Sequence, residues 1–148
     1  MENNNQIIPE KIHLNQIKWI KENTLLLDEN LNENPIYDIV VAHNMMHNLD
    51  KNIVKIRIFV DIVGTIDSKN IKQGGNYEVD FFYQIEDLNE QYQITDGKPI
   101  FNGLFVSTLL GISYSTMRGM LFSTWKNTFL ESLIIPVISV PQLLNSTQ

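Results

Sequence analysis

Apolar residues recur at steps of three and four in the last third of the chain, and this spacing predicts a long helix within residues 102–135. The apolar stripe is formed by Leu110, Tyr114, Met117, Leu121 and Trp125. Arg118 is the only charged residue between Gly103 and Thr124, so the other side lacks the polar surface of a solvated helix. We therefore expect cover on two sides, either within one domain core or by a second copy of the chain.

Several residues are expected to cap or interrupt this helical stretch. Gly111 favours a split into two helices, for which Asn102 and Ser113 are both suitable N-caps. Pro136 cannot continue a helix, so residues 136–148 are expected to form an extended tail.

Two earlier segments alternate between apolar and polar residues with a period of two, which predicts β-strands. These regular strands cover residues 53–65 and 76–88. Two less regular strands are predicted over residues 12–27, with a bulge near Asn15, and over residues 36–46.

This order of elements predicts an α+β fold, in which an antiparallel four-stranded sheet is followed by one long C-terminal helix packed on one face. The 148 residues suit a single domain, with residues 1–10 as a flexible arm. A polar stretch, residues 64–76, is expected to connect the two regular strands.

Composition narrows the classes of function. The chain has no cysteine, which excludes a disulfide framework, a thiolate metal site and a cysteine nucleophile. Its formal net charge of −6 argues against nucleic acid as a partner. The polar amino terminus is unlike a secretory signal and no apolar run is long enough to span a membrane, so we expect a cytoplasmic protein.

No group of residues predicts catalysis, a bound metal or a cofactor. His43 and His47 stand four apart, but no glutamate lies between them and the segment reads as strand and turn, which favours surface histidines over metal ligands. His13 has no nucleophile motif beside it. Asp61 and Asp80 lie on strand faces expected to meet water, and a non-enzymatic protein is therefore expected.

Three aromatic residues stand out from this pattern. Phe59 and Phe82 occupy the otherwise polar faces of the two regular strands, and Trp19 lies where the first strand changes phase. If the two strands are neighbours, we expect these rings on the side of the sheet turned away from the helix. An apolar patch left in water usually marks a binding surface, whereas a covering loop is the alternative.

The order of strands and helix, together with two sequence features, is similar to that of one known family. The helical segment LLGISYSTMRGMLF has a Leu-Gly pair followed by an aromatic residue and an arginine, Tyr114 and Arg118. The first predicted strand has an aromatic residue, Trp19, followed by a lysine–acid pair that ends at Glu22. In these features the chain resembles the SecB-like protein-export chaperones.

The resemblance implies an ATP-independent holdase that forms a homodimer or homotetramer, packs its helices at the subunit interface and holds unfolded chains in apolar grooves. The implied client contacts are Trp19, Leu25, Phe59 and Phe82. The implied interface contacts are Tyr114, Arg118, Leu121 and Trp125. In the family an acidic sheet surface docks the translocation ATPase SecA. Here Glu22 is kept, but Leu26 replaces a second acid and Gly119 replaces an acid after the arginine.

Two other functions fit the same predicted layout. A hotdog-type thioesterase or dehydratase also wraps a sheet on a long helix, but its main helix normally precedes the strands that embrace it. An adaptor of SecB-like fold, of the antitoxin-associated type, would bind one specific partner instead of many unfolded clients. Capture of one stoichiometric folded protein, without denatured clients, would favour the adaptor.

Overall fold

The computed structural model describes residues 6–25 and 34–145, with the backbone alone at positions 72, 140 and 143. Within these residues the main sheet is formed by β1 (Ile12–Leu25), β2 (Ile36–Asn48), β3 (Ile53–Ile66) and β4 (Lys69–Ile85). A hairpin of β5 (Tyr92–Thr95) and β6 (Lys98–Phe101) leads into α1 (Gly103–Thr124), and α2 (Val140–Leu144) follows. The predicted α+β order is confirmed.

All pairings in the main sheet are antiparallel, and the strand order β1-β4-β3-β2 leaves β1 and β2 at the two edges. The register of β1 against β4 shifts between Leu14 and Gln16 and again between Trp19 and Lys21. The first shift confirms the bulge predicted near Asn15. This bulge brings Trp19 onto the same face as Ile12 and Leu14, and the second shift changes the faces of the residues that follow Trp19.

The face of the sheet that carries α1, here called the inner face, holds the core. Its two central strands contribute eight side chains with at most 1% of their surface exposed: Val54, Ile56, Ile58, Val60, Tyr77, Val79, Phe81 and Tyr83. Burying each such side chain stabilises the fold by about 1.5–3 kcal/mol. The apolar stripe predicted on the helix is confirmed, because its five residues are all buried in this same core.

Helix α1 is continuous, and the expected split at Gly111 is wrong. The Asn102 side chain accepts a hydrogen bond from Leu104 N at 3.0 Å and caps the first turn. The helix ends before Trp125, whose amide donates to Leu121 O, and turns follow where the helical stretch was expected to continue. A Cβ added at Gly111 would meet no neighbouring group within 4 Å, so this glycine lies on the open side of the helix.

The polar connection expected over residues 64–76 is wrong. These residues extend β3 and β4 into a long hairpin closed by Asp67 and Ser68, which both have positive φ. Residues 67–70 at the tip are exposed, which explains their polar composition within a strand pair. Position 75, inside β4, requires glycine, because a Cβ there would stand 2.6 Å from both Asn23 O and the Tyr77 hydroxyl.

The two ends of the described chain lie against the domain. Ile7 packs on the core, and a short 3-10 turn, Pro9–Lys11, leads into β1 where a flexible arm was expected. Ile135 is buried, and Tyr114 Oη donates to Pro136 O at 2.5 Å. The expected extended tail is therefore fastened to α1, and part of it is the short helix α2. Residues 1–5 and 146–148 lie outside the described part.

Candidate interaction surfaces

The outer face, which is turned away from α1, carries Phe59 and Phe82 as the alternation predicts. Both rings are half-buried. Phe59 stands opposite Glu78 and Phe82 opposite Lys55 in the β3–β4 register, so the two rings are four residues apart along the strands, or roughly 13 Å. They do not form one aromatic patch.

An ion-paired cluster separates the two rings. Arg57 donates to both carboxylate oxygens of Asp80, at 2.6 and 2.8 Å, and Lys55 Nζ lies 3.7 Å from the same group. Asp80 is only 2% exposed although it lies on the outer face. Burial favours a raised pKa for Asp80, but hydrogen bonding and charge from Arg57 and Lys55 outweigh it and hold the pKa below its usual value.

The outer face of β2 is mostly apolar, interrupted by Asp38 and Asn44, and the neighbouring strand β3 adds Phe59 among charged residues. We call the apolar part of this surface the outer apolar strip, and it consists of Ile36, Val40, Ala42, Met46 and Phe59. Three of these side chains are more than half exposed: Ile36 at 71%, Val40 at 57% and Met46 at 55%. Ala42 pairs with Phe59 across the two strands, so the phenyl ring joins the β2 side chains in one surface.

Strand β2 is also an edge strand whose own sequence lacks the usual protection, and the short helix α2 lies close to it. It pairs with β3 over thirteen consecutive positions without a register shift. Asp38 is its only aspartate, glutamate, lysine or arginine, and it contains no proline. Sheet edges in soluble proteins are normally blocked by lysine, proline or bulges, because a free edge accepts a further strand. About half of the β2 backbone groups therefore point toward an open edge.

The other edge, β1, is protected in just these ways. It has two bulges, and its exposed side chains include Lys18 and Lys21. Leu25 ends the strand on the outer face, opposite Gly74, with 47% of its surface exposed. Glu22 is exposed at the register position opposite Tyr77, and its partner-docking role stays a prediction.

Trp19 lies on the inner face, so the expectation that it joins Phe59 and Phe82 is wrong. Its ring packs edge-on against Tyr77, with centroids 6.4 Å apart, and Tyr77 packs in the same way against Trp125 at 5.7 Å. The Tyr77 hydroxyl accepts a hydrogen bond from Trp125 Nε1 and lies 2.6 Å from Thr24 Oγ1. Trp19 is thus part of the packing between β1, β4 and the end of α1.

The expected subunit-interface residues also need correction. Tyr114, Leu121 and Trp125 are at most 4% exposed and pack inside the subunit, so they are not free to contact a second chain. Arg118 donates from Nε to Ile135 O at 3.1 Å and holds the segment that follows the helix. Periodicity alone shows that a helix has an apolar stripe, but it does not say which of two uncharged faces the sheet covers.

The uncharged face that α1 leaves open is here called the α1 exposed stripe: Leu104, Gly111, Ile112, Ser115, Gly119 and Phe122. Its large side chains are substantially exposed, with Leu104 at 53%, Ile112 at 38% and Phe122 at 65%. Beside its C-terminal half runs a groove of about 280 Å³, whose second wall is formed by residues 133–135. The second uncharged side of the helix, for which cover was expected, is therefore exposed in the single chain.

The described residues give no sign of a metal centre or a membrane span. No three histidine or acidic side chains among residues 6–25 and 34–145 come together as ligands. His43 and His47 lie on β2 and not in a turn, and His43 is 4% exposed while the His47 ring packs 5.4 Å from Phe101. No helix in the described part is long and apolar enough to cross a membrane.

The residues that sequence reasoning missed are Ile36, Val40 and Met46. The signal was present, because the segment is apolar with a single acidic residue. A strand with this composition normally lies in the middle of a sheet, and only the observed strand order places it at an edge.

Comparison with known proteins supports the fold. No family model matches the sequence. No curated protein matches it either. A solved structure of similar fold is Mycobacterium tuberculosis Rv1957, a SecB-like chaperone, in complex with a ChAD peptide from the Rv1956 HigA1 antitoxin. The TM-score is 0.60 at 10% identity, over 88% of this chain and 93% of that chain. The resemblance predicted from the sequence is confirmed at the level of the fold.

Proposed function

We propose that this chain, whose fold is SecB-like, is a non-enzymatic, ATP-independent chaperone that holds extended apolar segments of other polypeptides along β2. The observation that carries the proposal is the regular edge strand β2, which pairs with no further strand in the described residues, beside the outer apolar strip. An extended client segment would pair with the open backbone groups, and its side chains on one face would continue the strip. No cofactor is needed for such binding.

The energetic argument rests on desolvation. Ile36, Val40 and Met46 keep more than half of their surface in water, and covering this surface on binding is favourable by about 25 cal/mol per Å². Backbone pairing adds affinity that is independent of client sequence, while the strip selects for apolar side chains at alternate positions. This combination suits a protein that holds many unfolded chains.

The proposed client site keeps Phe59 and sets aside the other expected contacts. Phe82 lies next to Lys55 in the charged part of the outer face, and Leu25 lies at the opposite edge of the sheet. Trp19 is packed against Tyr77 and is not available to a client. The proposed client site therefore consists of Phe59 and the other uncharged side chains of the outer apolar strip.

We place the α1 exposed stripe at a contact between copies of the chain, as the homo-oligomer implied by the family requires. Leu104, Ile112 and Phe122 would be covered there, and the small residues between them allow two helices to approach closely. The absence of cysteine fits the reducing cytoplasm, where we expect the protein to act.

An aggregation assay tests the client site. The client is insulin unfolded by dithiothreitol, a reagent that leaves this cysteine-free chain unchanged, and light scattering is recorded. Phe59→Ser is compared with Phe82→Ser, since both rings are half-buried on the same face. We expect Phe59→Ser to weaken protection about fivefold or more, the effect of losing about 1 kcal/mol of binding, and Phe82→Ser to leave it nearly unchanged.

A second matched pair tests the open edge. Val40→Lys places a charge on β2, whereas Gln16→Lys places the same charge on the outer face of β1. Lysine on an edge strand opposes pairing with a further strand, so Val40→Lys should abolish protection and Gln16→Lys should retain it. Equal protection by all four variants would exclude β2 as the client site.

A specific adaptor is the second candidate function. It is favoured by the antitoxin peptide bound to the SecB-like chaperone of similar fold. In that case the same β2 edge would hold one defined peptide. Affinity capture with the native chain separates the two functions, because a single stoichiometric partner together with no protection of insulin would replace the holdase proposal.

A further inference from the structure

The part of the outer face formed by β1, β4 and the first half of β3 is basic in a chain whose net charge is −6. Lys18, Lys21, Lys55 and Arg57 lie there, and we call these four residues with Phe82 the basic half. Lys18 stands opposite Asp80 and Lys21 opposite Glu78 in the β1–β4 register. Four cations thus meet two carboxylates on this part of the sheet.

The cations are not neutralised evenly. Asp80 is paired with Arg57 and Lys55 and is only 2% exposed, so its negative charge is shielded from solvent. Within the described residues, Lys18 and Lys21 form no ion pair, and both are exposed. The charge that the basic half presents to solvent is therefore positive.

We infer that the basic half docks an extended acidic segment of a partner protein, with Phe82 as an apolar contact. Side chains on one face of an extended segment recur roughly every 6.6–7 Å, which matches the two-residue steps between the rows of Phe82, Asp80 and Glu78. Carboxylates at alternate positions would then reach the lysines of β1 and Lys55 in turn. The inference goes beyond the proposed holdase activity, which uses β2 at the other edge.

Two observations favour an acidic polypeptide over a nucleic acid. The basic half also contains two carboxylates, and the molecule around it is acidic, so phosphate backbones would be repelled outside a small area. Phe82 is the one aromatic side chain of the basic half and is half-buried, whereas single-stranded nucleic acids are bound by several aromatic rings on which successive bases stack. The surface also differs in sign from the acidic docking surface that the family resemblance implies.

Fluorescence anisotropy of the full chain tests the inference. The probe is a short fluorescein-labelled peptide with glutamate at alternate positions and one central phenylalanine. The same peptide with lysine in place of glutamate and an oligothymidylate of equal length serve as comparison probes. We expect the glutamate peptide to bind with an affinity that falls as salt is raised, and the other two to bind at least about tenfold more weakly.

The variant Lys18→Glu/Lys21→Glu removes the two exposed cations without touching the core, and Lys98→Glu/Lys126→Glu makes the same charge change at exposed positions outside the outer face. The first should weaken binding of the glutamate peptide about tenfold or more, and the second by less than about twofold. Lys55→Gln, which removes the charge but keeps a polar side chain, should cause an intermediate loss.

Several results would overturn the inference. One is that the glutamate peptide does not bind. Another is that the lysine peptide or the oligothymidylate binds equally or more tightly. A third is that the two double variants lose the same amount of affinity for the glutamate peptide. Failure of this inference can be distinguished from failure of the proposed holdase function. Phe59→Ser should lose insulin protection but keep the glutamate peptide, whereas Lys18→Glu/Lys21→Glu should show the opposite behaviour.

Discussion

The phenol of Tyr83 joins the sheet to the helix through buried polar contacts with Leu109 O and the Ser113 side chain. Its hydroxyl lies 2.7 Å from Ser113 Oγ, and Ser113 has no exposed surface. Burial raises the pKa of Tyr83 to about 12, even though the bond to Ser113 acts in the opposite direction. The hydroxyl therefore stays protonated and available for hydrogen bonding across the whole physiological range.

Removing this hydroxyl should leave Ser113 without its partner. We expect Tyr83→Phe to lower the free energy of unfolding by about 1–3 kcal/mol, measured by urea denaturation. The double variant Tyr83→Phe/Ser113→Ala removes both polar groups, so it should be destabilised by less than the sum of the two single variants. Strict additivity would show that the contact contributes nothing.

Asp80 makes stability depend on pH. Its pKa in the folded chain lies below the ordinary value of 3.8, so folding releases protons from this group near that pH. The stabilisation is complete above 3.8 and is lost as the pH falls through the lowered folded pKa. Urea denaturation on either side of pH 3.8 should show this loss in the wild type and a flatter dependence in Asp80→Asn. An unchanged slope would contradict the assignment.

At the scale of elements, two glycines should respond oppositely to alanine. Gly111 lies on the open side of α1, where a Cβ meets nothing within 4 Å, so Gly111→Ala should stabilise the chain by about 0.5–1 kcal/mol. Gly75→Ala should destabilise it by about 1–3 kcal/mol, because its Cβ would collide with the Tyr77 hydroxyl and a β1 carbonyl. Thermal denaturation measures both, and the same sign for the two would be inconsistent with the packing.

The strand faces and the helix stripe were predictable because period-two and 3.6-residue patterns depend only on which side a side chain faces. The aliphatic positions of β3 and the stripe from Leu110 to Trp125 are buried as expected. The bulge near Asn15 brings Trp19 onto the same face as Ile12 and Leu14, which is the inner face, so the position of this ring follows from the predicted bulge. The long hairpin of β3 and β4 was not predicted, because its exposed tip is as polar as a loop.

The candidate surfaces were less predictable than the fold. Phe59 and Phe82 were found because each breaks the polar pattern of its strand, but their separation depends on the β3–β4 register. The outer apolar strip depends on β2 being an edge, which follows from strand order alone. A subunit interface was predicted at Tyr114, Leu121 and Trp125 because the same spacing of apolar residues occurs on helices that pack in a core and on helices that pack between subunits.

The whole molecule is asymmetric across its sheet. The inner face is sealed by α1 and the segment after it, whereas the outer face stays open and divides into the outer apolar strip and the basic half. Further exposed apolar side chains lie on the α1 exposed stripe, on the β5–β6 hairpin and in the segment that follows α1. The outer apolar strip, the basic half and the α1 exposed stripe can serve three contacts without competing for the same residues.

Association through the α1 exposed stripe should be visible as mass in solution. We expect light scattering coupled to size-exclusion chromatography to show a dimer or tetramer for the wild type and a smaller species for Phe122→Asp. Phe122 is 65% exposed in the single chain, so its replacement should leave the folded subunit intact by circular dichroism. A wild-type monomer at every concentration would leave the stripe without a second copy to cover it.

Photo-crosslinking is the most direct test of the central claim that extended polypeptide binds along β2. p-Benzoylphenylalanine is introduced in place of Val40, and, as a control on the other edge, in place of Lys21. After mixing with dithiothreitol-unfolded insulin and irradiation, the account predicts crosslinked insulin chains from position 40 and few from position 21. Crosslinks from position 21 alone, or from neither position while insulin is still protected, would contradict it.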